Sequence, residues 1–381
     1  MSTCLRSFGI SNTTCSSKKT KVMELSKFSE FLKRKNIVFS AQRYGIDALG
    51  AMAQGLFCSL LIGTIIRTLG QQLGVDFLTD IGNYAMAVSG PAMAVAIGYA
   101  LKADPMVLFS LAAVGWAANA EGGAGGPLAV LIIAIVAAEC GKAVSKETKV
   151  DILVTPFVTI VVGVALAKLI APPIGTAASA FGLVIDRATK LQPFLMGIAV
   201  SVLVGIALTL PISSAAICSV LGLTGLAGGA AVAGCCAQMV GFAVMSFKEN
   251  RWGGLVSQGL GTSMLQMPNI VRNPRVWIPP IVASAVTGPL ATCLFKLEMN
   301  GAPINSGMGT CGLCGQIGVW TGWISPSEAA IAKGAAAITP TAFNWLGLIL
   351  ISFILPAVIT LLVSSALRKI GWIKDGDLKL G

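Results

Sequence analysis

The chain has 381 residues, of which 55% are hydrophobic and 11% charged, with 44 glycines and no histidine. Soluble domains are roughly 25% charged, so so few charges leave a water-facing surface uncovered, and without an imidazole neither Ser-His-Asp nor Cys-His catalysis nor a histidine metal site is available. The formal charge of +11 gathers in the two tails and carries no nucleic-acid reading motif.

Uncharged apolar stretches of about 20 residues, the length that spans a bilayer, recur along the chain and predict an all-α polytopic membrane protein of about eight to ten transmembrane helices with Gly-rich broken or re-entrant hairpins. Its continuous Ala/Leu/Ile/Val/Gly runs do not alternate as the strands of a β-barrel must. Three regions are expected: a basic N-terminal tail with an amphipathic helix over 1–46, a transmembrane domain over 47–367 and a C-terminal tail over 368–381.

Residues 1–22 are polar, Ser/Thr-rich and free of acids. They lack the apolar core of a secretory signal and read as a tail, although an organelle transit peptide shares the composition. Met23 is the natural beginning, and MELSKFSEFLKRKN then forms a helix lying on the membrane surface. Lys18, Lys19, Lys21, Lys33, Arg34 and Lys35 precede the first span against only Glu24 and Glu30, and Arg368, Lys369, Lys374 and Lys379 follow the last. The positive-inside rule then places both termini in the cytoplasm and makes the number of crossings even, in a multi-pass protein of the cell (plasma) membrane.

In chain order, the first span covers 47–70. A second over 81–101 is interrupted at Gly90-Pro91, a third over 105–119 ends in NAEGGAGGP, and a fourth covers 128–144. The charged loop ECGKAVSKETKVD follows. A fifth span over 152–171 is closed by Pro172-Pro173, residues 176–190 suit an interfacial helix, and a sixth span covers 193–210. Residues 213–247, broken by GLAGGAAVAG, fit either two crossings or one crossing and a re-entrant segment. Later spans run over 277–295 and 341–367, and two Gly-rich, weakly apolar pieces remain at 253–269 and 305–322.

Polar groups inside a membrane are costly and therefore informative. GLAGGAAVAGCCAQ and GMGTCGLCGQ each put a Gly-rich break ahead of Cys-x-Gln, a pairing that points to the substrate site of a transporter built from repeats. Gln238, Gln316, Asn269 and Asn305 lie in or beside the broken segments. Carboxamides both donate and accept, which suits a neutral polyol such as a sugar; the same groups can instead bridge helices, at about 0.6 kcal/mol each. Glu121 sits at a helix break where it either helps to bind a polar ligand or stays in water as a loop carboxylate. Cys311-Gly-Leu-Cys314 has the spacing of a metal or redox half-site, but zinc would need Cys235 and Cys236 as well, and the flanking glycines fit close packing better. No cofactor, metal or nucleic-acid partner is expected, and no acid–base constellation supports an enzyme acting alone.

TLPISSAAI (209–217), AGCCAQMVGFAVMSFKEN (233–250), QGLGTSMLQMPNIVRNPRVWIPP (258–280) and GMGTCGLCGQIG (307–318) resemble the EIIC-like membrane family of the phosphotransferase system, which includes the perfringolysin-regulator membrane proteins. The resemblance covers roughly residues 25–375. It implies a homodimeric permease in the lipid bilayer that moves a sugar or similar small polar solute, linked to phosphoenolpyruvate-driven phosphorylation by separate cytoplasmic EIIA/EIIB-type subunits. Its alternative is a derived membrane sensor that binds a ligand and controls gene expression without transport. Sugar permeases of this class tend to place a histidine and a glutamate near the sugar, and this chain departs from that pattern in having no histidine.

Overall fold

The computed structural model describes residues 29–380. The tail expected over 1–22 and the start of the surface helix expected from Met23 lie outside the described residues. A helical stretch over 29–34 leads into α1 (Arg43–Leu73). Its buried residues Ala48, Leu49, Met52, Ala53 and Leu56 recur at helical spacing and face the N-terminal core. Gly74, in the left-handed conformation at φ 66, closes the helix.

The chain doubles back as α2 (Asp76–Ala87), close enough to α1 that a Cβ on Gly63 would lie 2.8 Å from the Gly82 carbonyl oxygen. A bend of 48° joins α2 to α3 (Ser89–Ala100). It falls at Val88, ahead of the expected Gly90-Pro91, because Pro91 sits in the first turn of α3, where its missing N–H has no helical acceptor to lose. Helices α4 (Pro105–Gly122) and α5 (Gly126–Val144) form a hairpin around Gly123, whose φ of 49 reverses the chain. Gly141 near the end of α5 consequently packs on Val107 near the start of α4, 2.9 Å from an added Cβ.

Helix α6 (Asp151–Thr189) corrects two expectations. It runs unbroken through Pro156, Pro172 and Pro173, so Pro172-Pro173 does not end a span and 176–190 is not a separate interfacial helix. The two prolines remove only the bonds to the Lys168 and Leu169 carbonyls, and Ala167 and Ala171, both fully buried, hold this stretch against the α4–α5 turn. With 39 residues it is about 58 Å long and extends well past that turn.

Helix α7 (Pro193–Thr209) descends and the short α8 (Ser214–Val220) climbs back. Helix α9 (Gly225–Met245) is the most enclosed element and is continuous through GLAGGAAVAG, contrary to the expected break. Its glycines are approach points instead: Gly229 lies on the Leu297 carbonyl and Gly234 on the Ser201 carbonyl. Small residues of this kind let membrane helices pack backbone to backbone. Around α9 stand α7, α12 (Pro274–Leu294) and α15 (Ala342–Lys369).

Two hairpins enter this bundle from opposite ends. The first rises as α10 (Phe247–Val256), kinked at Arg251, turns at Gly261–Ser263 and returns through α11 (Met267–Arg272). The second starts at Met299, which exchanges two backbone hydrogen bonds of 3.1 Å with Gly225. It descends in 3₁₀ turns, reverses at Gly309, Gly312 and Leu313, all with positive φ, and climbs back as α13 (Cys314–Ile324). The short α14 (Glu328–Ile331) leads to α15. The turns Ser257–Gly261 and Cys311–Leu313 pack on each other, so the hairpins meet near their tips. Both are built from the pieces that stood out as Gly-rich and weakly apolar.

Among the described residues six helical stretches, with α4 and α5 taken as one, are long and apolar enough to cross a membrane, and the bent α2–α3 pair makes a seventh. Ile46 and Asp47 at the start of α1 line the same cavity as Gly376, Lys379 and Leu380. Both ends of the described chain lie at one end of the bundle.

Candidate functional site

A cavity of about 170 Å³ lies where the hairpins approach the N-terminal helices. Leu56, Leu60 and Leu61 of α1, Ser89 of α3 and Asn119 of α4 form one wall; Thr262 and Met264 of the first hairpin, Met308 of the second and Ile212–Ala215 form the other. The Ser213 N–H donates to the Ala124 carbonyl at 2.8 Å and ties the two walls together. Every polar side chain in the lining is a hydroxyl or a carboxamide, and no charged one is among them.

Hydrogen-bonding capacity is unevenly spent in this lining. The Ser214 hydroxyl donates to the Gly307 carbonyl at 2.8 Å. Ser213 and Thr262 accept from the backbone N–H groups of Ala216 and Met264, leaving their O–H protons. The Asn119 carboxamide and the Ser89 hydroxyl bond to nothing among the described residues. Such groups can exchange hydrogen bonds with a neutral hydroxylated solute, while none of them can carry a proton away at neutral pH.

The residues expected from sequence are placed around this cavity rather than in it. Gln238 is fully buried in α9. Its Oε1 accepts from the Trp277 indole N–H at 2.9 Å and from Thr209 at 3.3 Å, and its Nε2 donates to Ser284 at 3.4 Å. Gln316, on α13, donates to Ser352 at 2.9 Å and to the Cys236 sulfur at 3.2 Å. Cys236 and Gln238 are two residues apart on one helix, about 200° around its axis. The structure therefore does not bring Gln238 and Gln316 together: they bond on opposite faces of α9.

Asn269, in α11, donates to the Gln266 side chain at 2.7 Å and to the Lys379 carbonyl at 3.0 Å, at the root of the first hairpin. Asn305 packs inside the second hairpin, its Cβ 2.7 Å from where a Cβ on Gly318 would stand. Glu121 lies at the end of α4, ion-paired with Lys168 at 2.5 Å. Cys235, Cys236 and Cys311 are buried, and Cys314 lies 3.3 Å from the Thr68 hydroxyl. No three His, Cys, Asp or Glu side chains among the described residues are grouped to hold a metal.

The motifs did hold three of the five polar lining residues: Ser213 and Ser214 lie in TLPISSAAI and Thr262 in QGLGTSM, with Met308 in GMGTCG beside them. Asn119 was passed over for Glu121, two residues on, which points about 200° away on a helix. The available signal was that a neutral carboxamide at the NAEGGAGGP break fits a neutral cavity better than a carboxylate does.

Most ion pairs among the described residues lie at the bundle end bearing the described termini, with Glu121–Lys168, midway along α6, set apart from them. At the end bearing the described termini, Arg368 bonds Glu249 and Asp375 at 2.8 Å each and Lys248 bonds Asp375 at 2.9 Å. Lys248, then Arg368, hold the Asp375 carboxyl below the usual range. Lys146, bonded to Asp104 at 2.6 Å, does the same for that carboxyl.

No curated protein and no solved structure is significantly similar to the chain. A family model does match it, that of the phosphotransferase system, EIIC, over residues 46–380, from the start of α1 through the C-terminal tail. The fold and this match lead to one conclusion: the chain belongs to the phosphotransferase-system EIIC family, as a multi-pass membrane component of the class that works with cytoplasmic EIIA/EIIB partners.

Proposed function

We propose that this protein translocates a neutral, hydroxyl-rich solute of the sugar class, bound in the cavity between the hairpin tips and the N-terminal helices. The observation that carries this reading is the convergence of both hairpins on a cavity whose polar lining is entirely uncharged. Asn119 and Ser89, with hydrogen-bonding capacity to spare, are its contacts. Movement of the hairpins against α1, α3 and α4 would open the cavity to one end and then the other. Gln238 and Asn269 act as positioning residues for the first hairpin, and Asn305 and Gln316 for the second. Both termini face the cytoplasm, where the EIIA/EIIB-type partners meet the protein, and two copies form the working dimer.

Uptake of labelled sugars into vesicles holding the purified protein, with and without phosphoenolpyruvate and the soluble phosphotransfer proteins, tests the reading. Phosphorylated sugar inside the vesicles is expected, with Asn119→Leu abolishing uptake while the thermal unfolding temperature stays within a few degrees of the parent. Thermal stabilisation by one sugar without any flux would overturn transport and identify a membrane sensor.

A further inference from the structure

We propose that the end of the bundle bearing the described termini holds an anionic glycerophospholipid, its phosphate in a basic pocket and one acyl chain in an adjoining apolar groove. The two compartments share a wall. In the stretch 29–37, Phe31, Leu32 and Ile37 line a groove of about 430 Å³, whereas Arg34, Lys35 and Asn36 line a pocket of about 330 Å³. Helix α5 completes both: Ile135 and Val136 wall the groove, and Lys142 sits in the pocket.

The groove is apolar for a specific reason. Its polar neighbours satisfy one another, the Tyr44 hydroxyl donating to Glu139 at 3.1 Å and Lys142 donating to the other Glu139 oxygen at 2.8 Å. What remains on the wall is hydrocarbon, which suits an acyl chain and not a headgroup.

The pocket has cations in excess. Five of them, Arg34, Lys35, Lys102, Lys142 and Lys146, stand against three carboxylates, Asp104 and Glu147 in the lining and Glu139 beside Lys142. Glu147 is shared, at 2.7 Å from Arg34 and 2.5 Å from Lys35, and Asp104 is taken by Lys146 at 2.6 Å. Lys142 is 3% exposed and spends its three N–H groups on Glu139 and on the Asn36 and Leu101 carbonyls, so its charge is fixed in place. Lys102 makes no ion pair among the described residues. A basic pocket at a bundle end, opening onto the acyl region, is the setting in which anionic headgroups bind. A free anion would leave the groove empty, and a neutral lipid would leave the charge unmatched; a molecule with a phosphate and a chain fits both.

The test uses the full-length protein in detergent, titrated with phosphatidylglycerol, phosphatidylcholine or inorganic phosphate, and read by native mass spectrometry and thermal unfolding. Phosphatidylglycerol is expected to be retained at least fivefold better than phosphatidylcholine. Lys102→Glu should erase that preference without altering unfolding in detergent alone, since the exposed Lys102 side chain makes no hydrogen bond or ion pair among the described residues and its backbone bond to Tyr99 is kept. Val136→Trp, which fills the groove and leaves every charge in place, should lower phosphatidylglycerol retention by a similar factor. Equal retention of the two lipids overturns the proposal, as does equal stabilisation by inorganic phosphate, which would mark an anion site without a chain. It is also overturned if phosphatidylglycerol binds only after residues 1–28 are deleted, because the groove then belongs to the protein's own N-terminal segment.

Discussion

The Thr209 hydroxyl lies 2.8 Å from the Ser263 hydroxyl, with neither exposed, and that contact fastens the tip of the first hairpin to the end of α7. Thr209 also donates to Gln238, which holds Trp277 and Ser284. A chain of buried polar groups thus runs from the tip beside the cavity to three helices. The second hairpin adds close glycine-to-backbone packing against α9 to its own hydrogen bonds, Gln316 to Ser352 and Ser214 to the Gly307 carbonyl. Both hairpins are therefore fastened by polar bonds, and the second by shape as well.

Gln238 is the hub of that chain, and replacing it should act at a distance. Gln238→Leu leaves the Trp277 N–H without its acceptor and turns the Thr209 hydroxyl back to the Gly205 carbonyl, at about 1–3 kcal/mol for the unpaired donor. The expected outcome is a lower unfolding temperature together with weaker sugar binding, although Gln238 does not line the cavity. Calorimetry beside a binding titration checks it. Full destabilisation with unchanged affinity in the folded fraction would show that the tip does not depend on the network.

The root of the same hairpin is held by the C-terminal tail. Leu378, fully buried, offers its carbonyl to Gln266 at 3.0 Å and to Asn250 at 2.7 Å, and Lys379 serves Asn269. Truncation after Ile370 removes all of these acceptors at once. Hydrogen exchange should then rise across 247–272 and stay unchanged across 299–324. Equal protection of both hairpins in the truncated protein would mean that the tail is an ornament.

Much of this architecture is legible in the sequence, because apolar length announces a span and Gly-rich, weakly apolar pieces announce the hairpins. The errors share one cause. Within a membrane bundle a neighbouring helix supplies what Gly and Pro withhold, so Pro172-Pro173 did not stop α6 and GLAGGAAVAG did not break α9. The site was legible only as a neighbourhood. Gln238, Gln316 and Asn269 look like ligand groups because they are polar and buried, yet burial is satisfied by bridging helices as readily as by a solute. Sequence does not say whose hydrogen bonds are already spent. Gln238 is engaged at both ends and Gln316 through its amide nitrogen, with only its Oε1 left over. The whole Asn119 carboxamide, in contrast, is unspent and lines the cavity.

Two glycines, Gly234 of α9 and Gly253 of α10, give a sharper contrast. A Cβ on Gly234 would stand 2.7 Å from the Ser201 Cα, with the Ser201 carbonyl nearer still, whereas one on Gly253 meets nothing within 4 Å. Gly234→Ala must drive α7 away from α9 and is expected to abolish folded protein in detergent extracts. Gly253→Ala, exposed and helical, should be neutral or slightly stabilising, since alanine is the better helix former. Size-exclusion profiles of the two variants, expressed side by side, decide the matter; a monodisperse Gly234→Ala protein would contradict the packing described.

The charged staple between α10 and the tail sets the acid limit. Asp375 is bonded by Lys248 and Arg368, and its carboxyl is held below the ordinary value. A carboxyl whose folded value is depressed contributes stability that is present above its unfolded value of about 3.9 and is lost as pH falls through the folded one. The tail should therefore stay docked from neutral pH down to about 5 and loosen only below about 4. Because the group is exposed, salt must weaken the staple as well. Asp375→Asn removes the charge at every pH, so its tail should be as protease-sensitive at pH 7 as the parent's is in acid. Limited proteolysis across pH 3–8, in low and high salt, checks this: a parent tail cleaved equally at all pH values, or an Asp375→Asn tail that stays protected at pH 7, would show that the carboxamides at the hairpin root hold it without help from charge.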